Sequence, residues 1–156
     1  MLYLGDCIEV MGNLPPGSVD LTVTSPPYDN IRTYNDTLND WNEVKWRAVL
    51  AGLYRVTKPG GVVVWVVGDA VVDGSETGTS FRQALHAMTC GFRLHDTMIW
   101  TKPDYKPLTH NRYEQTFEYM FIFSKGPPRT FEGIKDKPNV GYGRKVTGTW
   151  RDSAGT

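Results

Sequence analysis

Val19-Asp20-Leu21-Thr22-Val23-Thr24-Ser25-Pro26-Pro27-Tyr28 decides how the rest of the chain is read. Its first six residues are rich in β-branched side chains and stop at a proline pair, which predicts a strand over 19–24. Each proline fixes its own φ and restricts the residue before it, so the chain leaves that strand as a stiff, extended corner. In open α/β sheets, sites gather at the carboxyl ends of strands, and Ser25-Pro26-Pro27-Tyr28 falls at such an end.

Working outward, Val62 to Val67 is a continuous apolar run, the pattern of a strand covered on both faces. Between the two strands, Asn42 is a candidate cap for a helix reaching about Thr57, with Val44, Ala48, Leu50, Ala51, Leu53 and Tyr54 as its apolar stripe. Lys58-Pro59-Gly60-Gly61 is expected to end that helix by proline and glycine chemistry. Asp29 to Asn42 and Asp73 to Gly78 read as loops. Ser80 is a candidate cap for a second helix through Met88, closed by Gly91. A strand follows from Leu94 to Thr101, then a loop from Lys102 to Arg112, then an aromatic strand from Glu118 to Ser124 ended by Gly126-Pro127-Pro128. Alternating strands and helices predict an α/β fold with a mostly parallel sheet and an antiparallel strand pair near the C-terminal end. Gly68-Asp69, closing the second strand, should then neighbour Ser25. No repeat or low-complexity block is present.

The 156 residues suit one domain, and 40% apolar with 22% charged residues excludes a disordered chain. No apolar run approaches the ~18 residues of a membrane helix, no secretory signal is visible, and Cys7 and Cys90 lack metal or disulfide-scaffold spacing. A cytoplasmic setting is expected; oligomeric state is not fixed. Lys and Arg total 17 against 17 Asp and Glu, but from Lys125 onward seven basic residues face three acids. Such a tail suits either phosphate tracking or a solvated surface.

The Pro-Pro corner has a chemical use beyond stopping a strand. Neither proline has an N–H, the carbonyls of Ser25 and Pro26 are held in set directions, and Tyr28 brings a ring. A flat molecule carrying an amino group fits such a hook, ring on ring and amino hydrogens on acceptors. An amino group on a base is a poor nucleophile because its lone pair is delocalised. Acceptors at its hydrogens draw the nitrogen toward a tetrahedral shape and localise that pair for attack on a methyl sulfonium. No covalent enzyme intermediate is needed, so Cys7 and Cys90 are read as small buried apolar residues.

Gly5-Asp6-Cys7, Leu14-Pro15-Pro16-Gly17-Ser18-Val19-Asp20-Leu21 and Thr24-Ser25-Pro26-Pro27-Tyr28 together resemble the start of the β-group DNA amino-methyltransferases. Val56-Thr57-Lys58-Pro59-Gly60-Gly61, Ile99-Trp100-Thr101-Lys102-Pro103, Asn111-Arg112-Tyr113-Glu114 and Phe121-Ile122-Phe123-Ser124-Lys125 fit the same family. The resemblance implies a Rossmann-like methyltransferase sheet and methyl transfer from S-adenosylmethionine to cytosine-N4 or adenine-N6 of double-stranded DNA. It implies that Ser25, Pro26, Pro27 and Tyr28 are catalytic, with Tyr28 stacked on a flipped base and Ser25 and the Pro26 carbonyl on its amino edge. It further implies that Asp6, with Cys7 beside it, contacts the cofactor. Serine at the first position of the tetrapeptide favours cytosine-N4, since aspartate there usually accompanies adenine-N6.

That family also carries a Phe-x-Gly-x-Gly cofactor segment after the tetrapeptide, and nothing here matches it. Gly141-Tyr142-Gly143 follows no strand and opens no helix. Residues 1–131 are therefore expected to be the catalytic part of an incomplete methyltransferase domain. Residues 132–156 would be a Gly- and Pro-containing basic tail, or a link to a cofactor-binding half lying beyond Thr156 or on a partner chain. The alternative is a non-catalytic nucleic-acid-binding or complementation fragment. The loop Asp29 to Asp40, with Arg32 and Tyr34, and Trp41 after it either close over the site or are plain surface. Asp69 either lines the site or caps a turn. His86 and His95 share no metal spacing, Glu114 and Glu118 are not read as a carboxylate pair, and Tyr113, Phe117, Tyr119, Phe121 and Phe123 are read as core and sheet face.

Overall fold

The computed structural model describes residues 1–29, 41–103 and 111–133. Within them, α1 (Cys7–Asn13), β1 (Val19–Thr24), α2 (Glu43–Val56) and β2 (Thr57–Val67) precede a small hairpin of β3 (Val71–Val72) and β4 (Ser75–Glu76). Then come α3 (Thr79–Thr89), β5 (Arg93–Thr101) and β6 (Phe117–Ser124). The main sheet has the order β1-β2-β6-β5, with β1 parallel to β2 and β6 antiparallel to both neighbours. β1, β2 and β5 therefore run one way and β6 the other, and the expected antiparallel pair is β5 with β6.

Helix α2 starts where Asn42 Oδ1 accepts from the Lys45 N–H at 3.1 Å. Its buried stripe is Trp46, Val49, Leu50, Leu53 and Val56. The stripe expected from the sequence is partly out of phase with this one: Val44 and Ala51 are exposed, and the large Trp46, absent from the expected set, fixes the buried face. Nor does the Pro-Gly-Gly run end this helix. Thr57 ends it, extended at φ −69° and ψ 133°, with its N–H and its Oγ1 both donating to the Leu53 carbonyl. The chain passes straight into β2, and Gly60 at φ +79° makes a turn within that strand, its N–H on the Lys125 carbonyl.

Helix α3 begins at Gly78 in the left-handed region, not at Ser80. Ser80 sits in the first turn and is fully buried because its N–H and hydroxyl both go to Asp69. The 73–78 segment, expected as a loop, holds the turn and second strand of the β3–β4 hairpin, turned by Asp73 (φ +48°) and Gly74 (φ +77°), the Asp-Gly pair such two-residue turns favour. Helix α1 is an element that the sequence reading does not anticipate.

Strand alternation puts Val63, Trp65 and Val67 on one face with Tyr119, Phe121 and Phe123 in register beside them. Five of these six are buried, Tyr119 is half-buried, and Leu50, Leu53, Ala84 and Ala87 of α2 and α3 complete the same core. Trp65 donates its indole N–H to Gln83 Oε1 at 2.8 Å, so the largest core side chain is also hydrogen-bonded. The opposite face carries Val62, Val64 and Val66, continued by Leu21 and Val23 on β1 and by Met98 and Trp100 on β5. Leu21 and Val23 are 58% and 66% exposed, so cover on both faces, expected from the Val62–Val67 run, is met on one face only among the described residues. The aromatic cluster is core and sheet face as expected, except that Tyr113 is fully exposed.

Candidate active site at the end of strand β1

Because β1 and β2 are parallel and in register, Thr24 beside Trp65, their carboxyl ends lie together. Ser25-Pro26-Pro27-Tyr28 leaves one and Gly68-Asp69 leaves the other. The Tyr28 ring lies over Gly68 so closely that a Cβ there would meet its Cδ2 at 3.4 Å. The expected neighbourhood is thus present. Pro26 is buried, Pro27 and Tyr28 are half-buried, and Ser25 is exposed.

A chain of polar contacts ties this corner to the far side of the sheet. Ser25 Oγ is 2.8 Å from the Tyr28 hydroxyl, which donates to Glu118 Oε2 at 2.7 Å. The other Glu118 oxygen pairs with Lys102 Nζ at 2.5 Å. Lys102 is itself located by its backbone N–H on the Thr116 carbonyl at 2.7 Å. Beyond Tyr28, Asp29 adopts φ +44° and accepts from the Ala70 N–H at 3.1 Å and the Thr77 hydroxyl at 2.6 Å. The corner is therefore anchored where it ends, at Tyr28 by β6 and at Asp29 by the residues flanking the hairpin. Asp69 resolves to the capping role: its carboxylate takes the Ser80 N–H at 2.8 Å and the Ser80 hydroxyl at 2.5 Å.

A cleft of about 440 Å³ runs along β1 beneath the corner. Ser25, Pro26, Pro27, Thr24 and Cys7 border it together with apolar side chains of α1, α2 and β2, among them Met11, Val49 and Trp65. Trp41 lines it too, whereas residues 30–40, including Arg32 and Tyr34, lie outside the described residues. The volume is that of a small-molecule site.

Asp6 caps α1, one oxygen accepting from the Ile8 N–H at 2.8 Å and the other paired with Lys45 Nζ at 2.8 Å. The Lys45 ammonium foremost, with the Ile8 N–H, holds its carboxyl below the usual aspartate range. Cys7 is exposed, contrary to the buried role expected of it, because it opens a short surface helix. The residue nonetheless borders the cleft, and partial burial, with the Asp6 charge, pushes the thiol up. Cys90 is half-buried. The structure brings Cys7, Ser25, Pro26 and Pro27 to one cleft, with Tyr28 turned toward Gly68 and Glu118 and not among its lining residues, and leaves Asp6 one residue back from it.

Glu118 is the site residue that the sequence reading passes over. A carboxylate inside Phe117-Glu118-Tyr119-Met120-Phe121 is the available signal. With β6 antiparallel to β2, that strand starts where β2 ends, so an acid at its start reaches the same site. Among the described residues, no three His, Cys, Asp or Glu side chains converge as a metal site. Nor is any described helix long and apolar enough to cross a membrane.

A family described as DNA methylase matches residues 19–152. The orphan methyltransferase M.BamHII of Bacillus amyloliquefaciens is 49% identical over 154 residues, which are 97% of this chain and 52% of that protein. The type II methyltransferase M.BglII of Bacillus subtilis is 29% identical over 83% of this chain and 36% of its own length. Among solved structures, the PvuII DNA methyltransferase (cytosine-N4-specific) shares the fold, with a TM-score of 0.66 at 22% identity over 80% of this chain and 49% of that one. A putative DNA modification methylase from Thermus thermophilus, complexed with S-adenosyl-L-methionine, gives 0.62 at 25% identity over 85% and 57%. The chain spans about half the length of M.BamHII and of the PvuII enzyme.

Proposed function

Since the chain belongs to the DNA methylase family of amino-methyltransferases, we propose that it forms the base-binding part of a site-specific DNA methyltransferase. The exocyclic amino nitrogen of a flipped base receives the methyl group, and cytosine-N4 is favoured over adenine-N6. One observation carries this reading: a rigid Ser25-Pro26-Pro27-Tyr28 corner, its serine exposed, stands at the carboxyl end of a parallel strand beside an open cleft.

Tyr28 offers a ring held against Gly68, against which the flipped base stacks. Ser25 Oγ and the Pro26 carbonyl receive the amino hydrogens as positive charge grows on nitrogen. S-adenosylmethionine is the methyl donor, and it supplies an electrophilic methyl sulfonium when bound. The cleft fits part of such a molecule: its apolar walls suit an adenine ring, and Asp6 stands next to it. Although both Asp6 oxygens are engaged, a carboxylate oxygen accepts more than one hydrogen bond, so Asp6 can still take an adenine amino hydrogen. Residues 1–131 form the catalytic part, with residues 132–156 leading to the rest of the cofactor site. A cytoplasmic setting is part of this reading, and the bacterial sources of the similar proteins support it.

Among the described residues, the exposed sheet face and the unpaired outer edge of β1 favour, as a second reading, a complementation fragment of such an enzyme. Nucleoside mass spectrometry separates the readings. The full-length product of the gene, given duplex DNA and S-adenosylmethionine, is expected to yield 4-methylcytosine. Detection of 6-methyladenine instead overturns the choice of base, and detection of neither overturns the enzymatic reading.

A further inference from the structure

Glu118 lies 90 residues from Tyr28 in sequence and on a different strand, yet it holds the Tyr28 hydroxyl at 2.7 Å. A phenol has one proton. Glu118 is paired with the Lys102 ammonium and so acts as a pure acceptor, which commits that proton to Glu118. The 2.8 Å contact between Ser25 Oγ and the phenol oxygen then has only one proton available to it, that of the serine. Ser25 must donate to Tyr28, and what its exposed oxygen presents outward is lone-pair density.

We propose that Glu118, braced by Lys102, is a positioning residue that fixes the proton order along Tyr28 and Ser25, making Ser25 a hydrogen-bond acceptor for the amino group of the target base. This rests on the DNA-methyltransferase reading above and goes past it. That reading uses Ser25 Oγ as an acceptor without saying what turns its proton away from the base, and the relay supplies the reason. Side-chain burial supports a built device: the Glu118 side chain is 16% exposed, in register with Trp100 of β5. A charge-assisted chain of this kind is polarised along its length, so its far end feels the acid through two hydroxyls.

A double-mutant cycle on the full-length gene product tests this, with labelled methyl transfer to duplex DNA as the assay. Glu118→Gln is expected to lower kcat by about 10²-fold, the scale of a small misplacement at the reacting centre, with KM for S-adenosylmethionine unchanged. Lys102→Gln should lower kcat in the same direction by less. In a Tyr28→Phe background, which lacks the phenol oxygen, Glu118→Gln should cost nothing further. Thermal melting of each variant guards against unfolding. Should Glu118→Gln unfold the protein, the Lys102→Gln and Tyr28→Phe pair completes the same cycle. Wild-type activity in Glu118→Gln overturns the relay, and so does an undiminished loss in the Tyr28→Phe background, which would make Glu118 a brace between β5 and β6 only. Absence of transfer by the unsubstituted protein is a different result: it overturns the DNA-methyltransferase reading, and the relay falls with it.

Discussion

Single residues determine how tightly the site's scaffold is held. Gly91 closes α3 at φ +108°, and a Cβ there would sit 2.7 Å from the Tyr54 ring carbon Cζ and its hydroxyl. Tyr54 cannot easily yield, since it stands edge-on to Phe92 at 5.1 Å and under the Lys125 ammonium at 4.4 Å. Gly91→Ala is therefore expected to destabilise the fold by about 1–3 kcal/mol, from a disfavoured backbone region and from overpacking. Urea unfolding would show a lower midpoint at constant m; an unchanged midpoint would mean that Tyr54 moves aside freely. The Ser25-Pro26-Pro27-Tyr28 corner was legible as a stiff exit from a strand because two adjacent prolines restrict the backbone whatever surrounds them. Glu118 and Lys102 were not, because their role arises from the pairing of β5 with β6, and pairing is not written in either segment alone.

At the scale of elements, α1 shows what periodicity misses. Seven residues are too few for an apolar stripe to declare itself, and Asp6 after Gly5 reads equally as a turn. What secures the helix is the Asp6 cap and the Lys45 ion pair that fastens it to α2, along with Met11 packed closely on Gly52. The lowered Asp6 carboxyl carries a sign. A group whose folded-state pKa lies below its unfolded value of ~3.9 adds stability that is complete above that value and is lost as pH falls through the depressed one. Thermal melting from about pH 6 down to about pH 2.5 should thus show an acid-side decline. Asp6→Asn, which keeps a capping oxygen but no charge, should lack that part of it. Equal acid slopes in the two proteins would remove the ion pair from the account. The strands and α2 were legible because long apolar runs and an Asn cap are local signals. The end of α2 at about Thr57 agrees with the sequence reading, but its cause does not, because Thr57 and not the glycines after it satisfies the Leu53 carbonyl.

Taken whole, the described residues make one layer of helices on one face of a four-stranded sheet. The other face and the outer edge of β1 remain open, with Leu21, Val23, Met98 and Trp100 all exposed. Open strand edges beside apolar surface invite pairing with further chain, and relatives about twice as long carry further chain. The expectation of a Rossmann-like sheet rested on motif order over most of the sequence, and the solved structures that share the fold agree with it. The exposed face among the described residues was not legible in the sequence, because a bare face is a property of packing.

The central claim is that the Tyr28 ring and the acceptors beside it hold a base for methyl transfer. Its most direct test is the rate of labelled methyl transfer to duplex DNA by the full-length gene product and by its Tyr28→Ala variant, each with its melting temperature measured. Transfer by the first and a loss of about a hundredfold or more in the second, at unchanged melting, is the predicted result. Equal rates in the two proteins would contradict the account.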